Sequence, residues 1–326
     1  MNNKNLAYYI REFLVTYLNT RRNCSINTIK SYRDTIKLFL NYNITENNLD
    51  IKDLDFQILN YDNINNFLNY LENIRNSSIN SRNQRLACIK SLCTYILTYE
   101  VTYLEEFQKI IDIKSKKYNP KTIDYFTKEE ITEILNKPNY EVKQELKELS
   151  ILTILYDGAL RVSELINLKT EDIILENPAR IIVKQSKGNK SREVPITSGT
   201  VKILKKYKEQ FNLKSGDYFI QSNHKKTYTS NGIRKIINKY TKGFRFKVTP
   251  HTFRHTKASH LLESNVPLIY IRDFLGHESI ETTEIYAKIN NTIKDKAIIE
   301  NSISLDIPIK YNIDEDTELI EWLKSL

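Results

Sequence analysis

Glycine and proline are scarce, seven of each among 326 residues, and neither occurs between residues 1 and 110. Without them a chain has no low-cost left-handed turns and no rigid breaks, so this region is expected to be helical throughout. Cysteine is scarcer still. Cys24, Cys88 and Cys93 are an odd number without zinc-ligand spacing, which excludes a disulfide framework and a structural zinc site and fits a reducing cytoplasm. Long hydrophobic runs are missing too: the most apolar opening stretch, Leu6 to Leu18, contains Arg11 and Glu12 and is too short to span a bilayer. No export cleavage pattern follows it, so neither secretion nor a membrane is expected. The sequence also has no Walker-type phosphate loop and no carboxylate cluster.

What is abundant is positive charge. The chain carries 49 Lys and Arg against 40 Asp and Glu, a net +9, with a pI near 9.1. Residues 1–120 contribute +4, residues 121–292 contribute +9, and residues 293–326 contribute −4. A basic body suits a polyanion, whereas an acidic tail containing apolar residues suits protein. The 21 tyrosines mean that no tyrosine stands out by its presence alone.

The length predicts two domains, since single cores stop growing at roughly 250 to 300 residues. The expected fold is mainly α with a small antiparallel sheet, an α+β arrangement. Residues 1–110 form a helical domain, 111–124 a basic linker, 125–292 a second domain and 293–326 the acidic tail. In the first domain, Ile29, Tyr32, Ile36 and Phe39 form an apolar stripe beside Lys30, Arg33 and Lys37. Leu86, Ile89, Cys93 and Ile96 form another, with Arg82, Arg85 and Lys90 placed elsewhere on that helix. These six cations, with Lys117 of the linker, are candidates for DNA backbone contact.

The second domain opens with Thr127 and Glu130 at capping-box spacing. ARIIVKQ and SREVPI read as a hairpin around a turn with Gly188 and Asn189, and DYFIQS as a third short strand. Helices dominate from residue 229 onward. In the tail, DEDTELIEWLKSL aligns Leu319, Ile320, Trp322, Leu323 and Leu326 as an apolar stripe on a short helix.

Five stretches of the second domain carry groups suited to phosphodiester chemistry, which needs a nucleophile, cations for the phosphoryl oxygens and a proton donor for the leaving oxygen. Arg161 in ALRVSEL follows Gly158 and falls at a helix start, where free N–H groups already favour an anion. Glu164, three residues on, can hold it. Thr249 and Pro250 place His251 in a first helical turn, with Arg254 on the same face. His255 and His260 read as packing or surface residues. Gly276 ends a helix and presents His277, and nine residues later Tyr286 sits in a helical TTEIYAKI. The hairpin turn supplies Lys187, Lys190 and Arg192. Lys187 is the candidate proton donor, and Lys190 and Arg192 are candidates for DNA contact.

In order and spacing, Arg161, Lys187, His251, Arg254, His277 and Tyr286 resemble the tyrosine recombinases, also called phage integrases, over residues 125 to 290, with a looser match of the N-terminal helices to the family's core-binding domain. Two departures are visible: Asp157 stands where the family often has threonine before the glycine, and Ser186 where it often has glycine before the hairpin lysine. The resemblance implies a two-domain clamp on duplex DNA, with dimers on one site and tetramers in synapsis. Strand exchange would pass through a 3′-phosphotyrosine and a Holliday junction. Tyr286 would be the nucleophile, with Arg161, Arg254 and His277 on the oxygens. His251 would manage the tyrosine's proton, and Lys187 would serve the leaving group. One ester is exchanged for another, so no cofactor and no metal are expected. The tail is expected to dock on a neighbouring protomer. Because the core-binding helices start almost at Met1, a simple short-site recombinase is expected, and a mobile element is its favoured setting. A type IB topoisomerase and a catalytically silent DNA-binding accessory protein are the rival readings.

Overall fold

A computed structural model of the chain describes residues 5–118, 123–184, 191–222, 227–277, 279–280, 282–284, 286 and 317–325. The chain divides into two compact units, residues 1–121 and 122–326. Among the described residues no helix is long and apolar enough to cross a membrane.

The first unit is helical, as its composition predicts. Helix α1 (Leu6–Glu12) runs on into a π-helical segment, Phe13–Arg21, followed by α2 (Ile26–Thr45), α3 (Tyr61–Asn73), α4 (Ile79–Leu97) and α5 (Leu104–Asp112). Polar caps set where helices begin. The Ser25 and Ser78 hydroxyls and the Asn60 amide oxygen accept from the N–H groups of Thr28, Ser81 and Asn63. With no glycine available, asparagine makes the left-handed turns: Asn23, Asn48 and Asn76 take φ of 47, 52 and 49°. Phe13, Phe39, Phe67, Leu86, Ile89 and Cys93 belong to one buried core. Truncating a ring such as Phe67 to alanine would cost about 3–5 kcal/mol.

The second unit contains α6 (Lys128–Asn136), α7 (Lys143–Asp157), α8 (Val162–Asn167), β1 (Ile173–Ile174), β2 (Arg180–Lys184), β3 (Ser191–Pro195), α9 (Ser198–Gln210), α10 (Ser230–Tyr240), α11 (Pro250–Glu263), α12 (Leu268–Leu275) and α13 (Thr317–Lys324). Thr282–Glu284 and Tyr286 are also helical. The capping box of α6 forms: Thr127 N–H donates to Glu130 Oε2 at 2.8 Å, and Glu130 N–H to Thr127 Oγ1 at 3.2 Å. The three strands are antiparallel in the order β1-β2-β3. The hairpin strands lie where the alternation places them, and the turn between them is outside the described residues. DYFIQS does not supply the third strand; it makes only isolated bridges through Tyr218 and Gln221, and Ile173–Ile174 takes the sheet edge. Phe219 and Ile220 are adjacent and both buried. A half-exposed strand, with side chains alternating between faces, cannot bury two neighbours in that way.

Between α7 and α8 the chain turns sharply. Gly158 ends α7 in a right-handed conformation, where an added Cβ would lie 2.8 Å from the Ile154 carbonyl oxygen and 2.7 Å from Leu160 Cδ1. The left-handed residue is Ala159, with φ of 46°. A non-glycine residue there costs of order 1 kcal/mol and persists only when neighbours hold it.

Candidate active site

Two contacts hold that turn. The Ala159 carbonyl accepts from Arg254 Nη1 at 2.7 Å, and Arg161 becomes the N-cap of α8. Glu164 folds back on the cap: its Oε2 accepts the Arg161 N–H and its Oε1 accepts Arg161 Nη1, both at 2.8 Å. From the other side Arg192 donates through Nη1 and Nη2 at 3.0 and 2.9 Å. Burial works against ionising Glu164. The hydrogen bonds and charge of Arg192, with the backbone N–H and charge of Arg161, outweigh that and hold the carboxyl at about 2.

Thr249 and Pro250 begin α11, so His251 lies in its first turn and is exposed, while Arg254, one turn further, is buried. Helix α12 ends at Gly276 in the left-handed conformation, φ 66°. Its last carbonyls, which a helix leaves without internal partners, each take an arginine. Phe274 accepts from Arg192 Nε at 3.0 Å, Leu275 from Arg254 Nη2 at 2.5 Å and Gly276 from Arg161 Nη2 at 3.2 Å. Three arginines from β3, α11 and the start of α8 therefore converge on three consecutive oxygens, at the end of a helix dipole that favours cations. Burial and the charge of Arg161 lower the Arg254 pKa to about 10, so it stays cationic at neutral pH.

His277 follows immediately, its Nδ1 2.9 Å from Thr283 Oγ1. Burial and then Arg254, Arg161 and Arg192 push its pKa down to about 4, leaving a neutral ring. Tyr286 is 2% exposed and packs with Ala159, Ala258, Ile271 and Leu275. Burial raises its hydroxyl to about 12, with Arg254 pulling the other way. The hydroxyl lies 2.8 Å from Nδ1 of His255, one turn along α11 from His251. His255, read from the sequence as a packing or surface residue, is thus the histidine beside Tyr286. The signal in the sequence was its i, i+4 relation to His251, which puts both imidazoles on one face. His260 does pack, bonding the Tyr156 hydroxyl and the Phe126 carbonyl.

The DNA-contact candidates divide. Lys30, Arg33, Lys37 and Lys117 are exposed, and Arg33 leans on Asp34 at 2.8 Å. Arg85 and Lys90 are half-buried, and Arg85 donates to the Ser77 hydroxyl. Lys30 and Arg85 line one polar groove with Asn27, Ser31, Asp34 and Gln84. Arg82 is not on that face: it is 5% exposed and donates to Glu72. Its spacing of four from Leu86 already placed it on the apolar stripe. Arg192 is likewise turned inward, because its register opposite Val183 puts it on the same strand face as buried Val194. Lys187 and Lys190 lie outside the described residues.

Residues 124–292 match the model of the phage integrase family, and residues 10–103 that of the phage integrase N-terminal SAM-like domain. The tyrosine recombinase XerC of Staphylococcus epidermidis (strain RP62A) is 28% identical over 290 residues, covering 86% of this chain and 93% of that protein. The fold is shared with the XerH site-specific recombinase bound to palindromic difH substrate, TM-score 0.64 at 20% identity over 89% of this chain and 84% of that one. It is shared equally with the Tn1549 transposon integrase in complex with transposon right end DNA, TM-score 0.66 at 15% identity over 90% and 99%. The catalytic model spans the carbonyl-held arginines, both flanking histidines and Tyr286, and the chain belongs to the phage integrase family.

Proposed function

We propose that Tyr286 attacks a DNA phosphodiester to form a 3′-phosphotyrosine, with Arg161, Arg254 and His277 on the phosphoryl oxygens and with Glu164, itself held by Arg192, holding Arg161. The chain is a site-specific DNA recombinase, and double-stranded DNA is the partner this assignment requires. The observation that carries the site assignment is the seating of three guanidiniums on the carbonyls of residues 274–276. Against the one carboxylate of Glu164 they leave two positive charges. A phosphodiester has one negative charge, and the five-coordinate state reached by attack has two. Such a site favours the transition state over the ground state.

Neutral His277 can donate through Nε2 to a phosphoryl oxygen when the Thr283 hydroxyl donates to Nδ1. Exposed His251, at the anion-favouring start of α11, is assigned the proton traffic of the reaction. Lys187 is assigned to the leaving 5′ oxygen. Exchanging one ester for another of similar energy lets the reaction run in both directions, as passage through a Holliday junction requires.

The test uses a nicked duplex that traps cleavage, carrying a site selected by the protein from random-sequence DNA. A covalent adduct that Tyr286→Phe abolishes, followed by recombinant product from two sites, is expected. Binding without an adduct would overturn the catalytic assignment, and relaxation without recombinants would favour a topoisomerase.

Dimers on one site and tetramers in synapsis are part of the proposal, with α13 docking on a neighbouring copy. Trp322 and Leu323 are 57% and 56% exposed, which supports a partner for this apolar face. The side chains of Leu319, Ile320 and Leu326 lie outside the described residues. Deleting residues 312–326 should abolish cooperative DNA binding. Unchanged cooperativity would remove the docking proposal.

A further inference from the structure

We propose that His255 is a positioning residue for the nucleophile: its ring Nδ1 accepts the hydrogen bond of the Tyr286 hydroxyl and fixes the direction in which the phenolic oxygen faces. This rests on the reading of Tyr286 as the attacking residue. The two atoms are 2.8 Å apart, and among the described residues His255 is the only hydrogen-bond partner of that hydroxyl. Tyr286 is 2% exposed, so water does not substitute as an acceptor. A buried hydroxyl without a partner is costly, and a phenol satisfies itself best by donating. Nδ1 then supplies the lone pair and the ring carries its proton on Nε2.

The backbone gives this contact its use. His251, Arg254 and His255 all belong to α11. One rigid helix therefore carries the arginine assigned to the phosphate and the group that aims the nucleophile, and the distance between them is fixed by helical geometry. The contact positions the hydroxyl and does not store its proton. Burial disfavours an imidazolium at His255, and the nearby His251 and Arg254 add to that.

Three variants of the full-length protein test the assignment on the trapping duplex, with Tyr286→Phe as control. His255→Phe keeps the ring volume and loses the acceptor, and His255→Ala loses both. His255→Asn keeps an acceptor oxygen near the place of Nδ1 and cannot take up a proton. In single turnover, the Phe and Ala variants are expected to form adduct about ten-fold more slowly, with DNA affinity within about two-fold of the parent. The Asn variant should recover to within about three-fold. A folded Phe or Ala variant, judged by its Tm, that cleaves at the parental rate overturns the proposal. So does an Asn variant as slow as Ala. Failure of the parent itself to form an adduct would instead overturn the assignment of Tyr286.

Discussion

Glutamine at position 164 probes the electrostatic keystone of the site. The Glu164 side chain is 9% exposed, accepts two hydrogen bonds from Arg161 and two from Arg192, and has its carboxyl held at about 2 against an ordinary 4.5. That displacement corresponds to roughly 3 kcal/mol of folding stability at neutral pH. Because the folded value lies below the unfolded one, the contribution is complete above about pH 4.5 and disappears as the pH falls toward 2. A second route gives the same size. Glu164→Gln leaves Arg192, itself 9% exposed, without its counter-charge, and breaking a buried pair costs about 3–5 kcal/mol. Arg161, at 35% exposure, recovers part of its loss from water, which brings the expectation back to about 3 kcal/mol. Urea denaturation followed by circular dichroism at pH 7 and pH 2.5 measures both size and sign. A loss below about 1 kcal/mol at pH 7, or an equal loss at both pH values, would refute the reasoning. The same variant should cleave on the order of 100-fold more slowly, because Arg161 loses the group that orients it.

Arg254→Lys is expected to slow adduct formation by about 100-fold with little change in DNA affinity, since one ammonium cannot span the carbonyls of Ala159 and Leu275 and still face a phosphate; single-turnover cleavage measures this. Asp157→Asn should cost about 3 kcal/mol at neutral pH, the lower end for a broken buried pair because Lys257 keeps some access to water. The Asp157 carboxylate accepts from Lys257 Nζ at 2.9 Å, Thr197 N–H at 2.8 Å and the Thr200 hydroxyl at 2.7 Å. Burial resists its ionisation, but these partners win and lower its pKa, so the stabilisation is present above the ordinary carboxylate range and lost below it. Urea titration of the variant against the parent at pH 7 and at pH 3 checks both.

Much of the fold was legible because its determinants are local. Helix starts at Thr127 and Thr249, the stop at Gly276 and the hairpin strands all follow from neighbouring residue types. Two of the misreadings came where a cation sat on an apolar period. Arg82 is four residues before Leu86 and Arg192 two before Val194, yet both were assigned by charge and not by position. Burial proved acceptable in each case because a carboxylate, Glu72 or Glu164, arrives from another element.

Spacing by itself nominated the side chains proposed for the chemistry, Arg161, the His251 and Arg254 turn, His277 and Tyr286, the first four of them at helix starts or ends that local residues define. Only the tertiary structure decided how they are held. Three arginines meet on the carbonyls of 274–276, Ala159 is kept left-handed by Arg254, and Tyr286 rests against His255 rather than His251. Those contacts join residues as far as 115 positions apart, as between Arg161 and Gly276. Their partners are chosen by which buried polar groups must be satisfied once the helices pack, and no local pattern encodes that choice.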